Sequence, residues 1–140
     1  MQISNVSRTI DGVLLITIPS IEFGGAFLLR MIKTREQGYL DNPVRQKLFR
    51  AGHAHAGVLV ILSLVMQVLA DALPWPQSPL VMVARLGAPC AAILMPLGFF
   101  LSVAPSRAEK PNGLIALVYA GALTLALSTV LLGLMLLGIV

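Results

Sequence analysis

The stretch AGHAHAGVLVILSLVMQVLA, residues 51–70, runs for twenty positions without an Asp, Glu, Lys or Arg. Wound as a helix, that length rises about 30 Å, the thickness of a bilayer's hydrocarbon core. Arg45, Lys47 and Arg50 stand before it and Asp71 follows it. The pattern recurs outward in both directions. With its flanks this run gives a helix over 51–72, and similar apolar runs give helices over about 10–32, 80–103 and 113–138. The expectation is an all-α, integral membrane four-helix bundle, one transmembrane domain over residues 1–140.

Composition agrees. The chain is 57% hydrophobic and 11% charged, with mean hydropathy +0.88, whereas soluble domains carry about 25% charged residues. So few charges exclude a water-soluble enzyme. The single Cys90 excludes a disulfide scaffold. A net charge of +4 would point a soluble chain toward nucleic acid, but here the basic residues lie between apolar runs. Membrane topology accounts for them, and no nucleic-acid partner is expected. No GxxxxGK[ST], GxSxG, HExxH or CxxC spacing occurs, and no catalytic residue is assigned.

Arg30, Lys33, Arg35, Arg45, Lys47, Arg50, Arg107 and Lys110 are eight of the ten basic residues, and all flank the first and third connections. That side is therefore expected to be cytoplasmic, with residues 33–50 as the cytoplasmic loop and both termini on the outer side of a bacterial inner membrane. Asn42-Pro43 and Ser78-Pro79 each offer an N-cap followed by proline at the first helical position, and Pro111 is expected to open the last helix in the same way. Trp75, in the short outer connection, is placed to anchor at the interface. The first run is too long for a signal peptide and is interrupted by Glu22, so it reads as a retained helix.

Ionisable groups within such helices cost roughly 2.5–3.5 kcal/mol and so mark partners or function. Glu22 lies about 12 Å above Arg30, where it needs a proton, a hydrogen bond or a counter-charge. His53 and His55 lie about 5 and 8 Å above Arg50 and are turned about 200° apart, toward different neighbours. His53 shares an arc of about 80° with Ser63, Gln67 and Asp71, which points it into the bundle. Met95 and Tyr119 reach a comparable depth. The candidate roles are cofactor binding by His53 and His55, metal ligation by His53 with Glu22, and proton relay by Glu22 and Tyr119. Asp11, Asp71 and Arg85 all come out about 28–31 Å from the cytoplasmic ends, as an outer ion cluster fixing helix register. Ala116, Ala120, Thr124 and Ser128 recur every four residues as a small-residue seam suited to helix contact, within the bundle or between protomers.

His53-Ala54-His55, followed by Ala56-Gly57 and an apolar helix, resembles a His-x-His motif in proteins similar to subunit I of the haem–copper oxidases. The resemblance covers some ten residues. It implies haem or copper ligation by His53 and His55 in a helical bundle. The chain departs from that pattern in having four apolar runs where an oxidase subunit has many more, and in having no third histidine. As a whole it is similar to small four-span bacterial membrane proteins.

The expected function is thus a small multi-pass membrane protein whose His/Glu layer binds haem or a metal ion or relays protons. Two alternatives stay open. One is a non-catalytic subunit or assembly factor of a larger membrane complex, or a homo-oligomer, whose basic loop meets partners or anionic lipid. The other is a small proton-coupled exporter using Glu22.

Overall fold

Three helices, and the 3-10 turn that leads into the fourth, begin where a side chain replaces a missing backbone partner. Ser4 Oγ accepts the Ser7 amide at 3.1 Å and opens α1, Asn5–Lys33. Asn42 Oδ1 accepts the Arg45 amide at 3.0 Å and, with Pro43 in the first turn, opens α2, Pro43–Asp71. Ser78 Oγ accepts the Val81 amide at 3.2 Å ahead of α3, Pro79–Leu101. Asn112 Oδ1 accepts the Leu114 amide at 2.8 Å. It starts a 3-10 turn, Gly113–Ile115, that passes into α4, Ala116–Leu136.

This computed structural model describes residues 3–74 and 78–140; Trp75, the expected interfacial anchor, lies outside them. The described residues form helices and connections with no strand. All four helices are long and apolar enough to cross a membrane. Pro19, Pro89 and Pro96 lie within continuous helices.

Several boundaries differ from those given by hydropathy. α1 starts at Asn5 rather than 10, because a capped polar turn is helical without being apolar. α2 starts at Pro43, where the Asn42 cap and the proline place it, ahead of the apolar run that begins at 51, so Arg45, Lys47 and Arg50 ride on the helix as that cap implies. The first connection is therefore 34–42 rather than 33–50. Pro111 precedes the Asn112 cap instead of occupying the first helical position.

α3 and α4 approach most closely, and glycine permits it. A Cβ on Gly87 would lie 2.3 Å from Ser128 Cβ, one on Gly98 2.7 Å from the Val118 amide nitrogen, and one on Gly121 2.6 Å from Met95 Cγ. The buried face of α4 is Gly121, Ser128, Leu132 and Met135. Of the expected small-residue seam, Ser128 is buried and Thr124 half-buried, while Ala116 and Ala120 are exposed. A strict four-residue stripe drifts about 40° per step, so it cannot face one straight neighbour over its whole length.

The end carrying the two long connections is tied by Arg45. Its guanidinium donates to the carbonyls of Val103 (3.2 Å), Gly38 (3.0 Å) and Ala104 (3.1 Å) and lies 4.7 Å over the Phe49 ring. Asn42 Nδ2 adds a donor to the Ala108 carbonyl at 2.9 Å. At Gly38 the backbone is left-handed, with φ +77°, and an added Cβ would lie 2.7 Å from Ser106 Cβ. Glycine therefore both permits the turn and lets the two connections touch.

α1 is attached differently. It packs along α2, is tied to α3 near its start by Ser7, and at its far end joins Leu28 and Met31 to a cluster with Tyr39, Phe49 and Val103. Between these attachments it stands off α3, leaving a cavity of about 600 Å³.

Gly87→Ala should lower stability by about 1–3 kcal/mol through overpacking against Ser128, whereas Gly133→Ala, with open space around it, should be neutral or slightly stabilising. Thermal unfolding in detergent would read both; equal melting temperatures would contradict the close α3–α4 crossing.

Candidate ligand and proton site at the α1–α2 crossing

The polar arc predicted for α2 faces inward. Ser63 and Gln67 are fully buried, and Ser63 Oγ donates to the Leu59 carbonyl of its own helix at 2.7 Å. His53 begins this arc and is half-buried. Its imidazole fits against α1 where that helix has no side chains. A Cβ on Gly25 would lie 3.1 Å from both Cε1 and Nε2 of the ring, and one on Gly24 3.6 Å from Nδ1. The glycine pair is thus a notch for the imidazole.

From that notch His53 gives onto spaces on both flanks of the crossing. Toward α3 it ends the 600 Å³ groove between α1 and α3, whose lining is almost wholly apolar. On the other flank it lines a recess of about 510 Å³ together with Glu22, Gly57 and Ile61. A third recess, with Gln46 and Arg50 at its rim, adjoins it toward the connections. Glu22 itself is exposed, and its neighbour Phe23 is 74% exposed.

His55 is elsewhere. Its Nδ1 lies 2.7 Å from the Ala51 carbonyl, and a carbonyl can only accept, so Nδ1 carries the proton in that bond. The ring tilts against Phe99 of α3 with centroids 5.0 Å apart. The two histidines therefore address different helices, as their rotation about the axis predicts.

The other members of the expected layer do not converge on His53. Met95 is buried with Leu59 and Ala91 and covers Gly121. Tyr119 is 72% exposed on α4, away from the Glu22 recess. The structure thus brings together His53 and Glu22 alone out of Glu22, His53, His55, Met95 and Tyr119. Among the described residues no set of three or more His, Cys, Asp and Glu is placed to hold a metal ion.

At the opposite end Arg85 pairs with Asp71. Arg85 is fully buried and donates to Asp71 Oδ1 at 2.5 Å, to Ser7 Oγ at 2.5 Å and to Gln67 Oε1 at 3.3 Å. Gln67 returns a bond from Nε2 to the Arg85 carbonyl at 2.9 Å, and Asp71 Oδ2 accepts the Ser4 amide at 2.9 Å. Asp11 lies within electrostatic reach of Asp71 and Arg85, but its buried Oδ1 has no hydrogen-bond partner among the described residues. α1, α2 and α3 meet at one cation.

Two contributors were not singled out from sequence. Sequence places Arg45 in the first turn of α2, three residues after the Asn42 cap, but its carbonyl partners in the two connections are not visible there. Thr17 and Ser20, both on the groove wall, form a short hydroxyl stripe at helical spacing that marks the α3-facing side of α1.

Gly25→Leu should force the imidazole out of its notch and raise the reaction of His53 with diethyl pyrocarbonate several-fold relative to His55; an unchanged ratio would contradict the packing. Arg85→Leu should cost about 3–5 kcal/mol by leaving Asp71 buried and unpaired, and Arg85→Leu with Asp71→Leu should recover much of that loss. A double variant no more stable than the single one would overturn the pairing.

Comparison with known proteins finds no matching family model, no matching curated protein and no matching solved structure.

Proposed function

We propose that the chain is a multi-pass protein of a bacterial inner membrane that binds a ligand at His53 within the hydrocarbon zone and exchanges protons through His53 and Glu22. The carrying observation is the placement of one imidazole, seated on Gly24 and Gly25, between an apolar groove and the recess lined by Glu22.

Membrane insertion is supported by what the bundle presents outward. Ile16, Phe23, Leu123 and Leu127 are each at least 60% exposed, on helices long and apolar enough to cross a membrane. In water that surface would drive aggregation; in lipid it is the ordinary exterior. The eight basic residues counted above flank the end with the long connections, which favours that end as cytoplasmic and both termini as outward.

The donor set bears on what His53 holds. A bare zinc-like ion takes about four protein or water ligands, and His53 with Glu22 would supply only two. Haem asks less of the protein, since one axial imidazole and apolar surroundings suffice, and when bound it supplies one-electron chemistry. His53 has that character. Glu22 would serve as the neighbouring proton acceptor and donor, because an ionised carboxylate exposed to hydrocarbon costs several kcal/mol and gains from a basic partner.

The absorption spectrum of the full chain purified from its native membrane tests the haem assignment. Haem on His53 would give a Soret band that shifts on dithionite reduction and is lost in His53→Ala with helix content unchanged. Stoichiometric haem retained in His53→Ala would overturn His53 ligation, and a featureless spectrum would overturn haem. Proton exchange is tested separately with a pH-sensitive dye in proteoliposomes, where Glu22→Gln should abolish protein-dependent flux. Undiminished flux would overturn the role of Glu22.

A further inference from the structure

The groove between α1 and α3 has a shape that narrows its occupant. Its α1 wall runs from Thr9 to Gly24 and its α3 wall from Leu86 to Phe100, which at the helical rise is about 21–22 Å on each side. Spread over that length, 600 Å³ gives a mean cross-section of about 27 Å². That admits one hydrocarbon chain lying along the groove.

The chemistry of the walls agrees. Thr17 Oγ donates to the Leu14 carbonyl at 2.6 Å and Ser20 Oγ to the Thr17 carbonyl at 2.6 Å. The hydroxyls on the α1 wall therefore spend their protons on their own helix. Pro89 and Ile93 face them from α3, and among the described residues His53 is the only titratable side chain on the lining. It lies at one end, level with Phe100 and Gly24. Thr17 and Ile93 are exposed, so the groove opens sideways out of the bundle.

From this geometry we infer that the groove takes the single hydrocarbon chain of a membrane-dissolved amphiphile, acyl or isoprenoid, with its hydrogen-bonding head at His53. The chain reaches its place laterally from the lipid, between α1 and α3, without passing through water. This rests on His53 as the ligand-binding group and names the class of ligand it serves.

The test uses the full-length protein in phosphatidylcholine nanodiscs with a palmityl alcohol probe bearing a mid-chain diazirine, photolysed and mapped by peptide mass spectrometry. Adducts are expected to concentrate on residues 9–24 and 86–100. They should fall in Thr17→Trp and in Ile93→Trp, two substitutions at exposed positions that fill the groove without entering the core. His53→Ala should weaken labelling about tenfold, the effect of losing one hydrogen bond to the head. Labelling spread equally onto the outward residues Leu123 and Leu127 of α4 would overturn the inference. Groove labelling undiminished in His53→Ala would uphold the chain site and overturn His53 as its head group, which separates the two failures. A native preparation carrying stoichiometric haem, with the groove closed to the probe, would also overturn it.

Discussion

One guanidinium determines how three of the four helices meet. Arg85 has no exposed surface, and a cation so placed persists only with its donors satisfied and its charge opposed. Asp71 provides the opposing charge, while Ser7 and Gln67 accept further protons. These partners come from α1 and α2, so the requirement to satisfy a single side chain on α3 fixes the register of two other helices. Apolar packing alone would not do so, because a helix that is hydrophobic around most of its circumference can rotate and slide at little cost. The Ser4 amide on Asp71 extends the same constraint to the cap of α1.

That constraint also explains the space in the middle of the bundle. α1 is held near its start by Ser7 and at its far end by Leu28 and Met31. α3 and α4, in contrast, are drawn together along their length by Gly87, Gly98 and Gly121. The result is a tight pair beside a helix secured mainly at its ends. A cavity between α1 and α3 follows from this asymmetry, and the polar group that meets it is the one seated where α1 crosses α2 on two glycines. Close packing is thus concentrated at the ends and in the α3–α4 pair, and the open space lies along α1.

Much of this was legible because certain residues have few alternatives. Asn42-Pro43 and Ser78-Pro79 mark helix starts through backbone chemistry that tertiary packing rarely overrides, and both caps form. The inward arc of Ser63 and Gln67 followed from helical rotation and the cost of leaving polar groups in an apolar exterior. Charge made Asp71 and Arg85 partners by the same logic. What stayed hidden depended on relations between helices. The depths of Glu22, Met95 and Tyr119 could be counted from sequence, but depth does not give azimuth, and Tyr119 faces outward while Met95 covers Gly121. The α4 seam is buried within the chain only at Ser128 and partly at Thr124, since regular spacing on one helix says nothing about how far its neighbour follows it. Arg45 was hidden because carbonyl partners are invisible in side-chain patterns: three main-chain oxygens hold it.

The two histidines show how the same residue type, two positions apart, takes on different work. His55 has Nδ1 on the Ala51 carbonyl and its ring against Phe99, so its tautomer and orientation are fixed by neighbours that offer no second titratable group. His53 is oriented mainly by shape, through a notch that contacts its ring atoms closely but leaves its surroundings open on both flanks. A side chain held by hydrogen bonds is already committed; one held by van der Waals contact keeps its nitrogens for a ligand or a proton. Glu22 lines the recess on one flank and the apolar groove lies on the other, so under the proposed function a proton exchanged at the ring would have a protein partner outside the groove. The openness of both flanks depends on Gly24 and Gly25, whose missing side chains leave room for the imidazole between them.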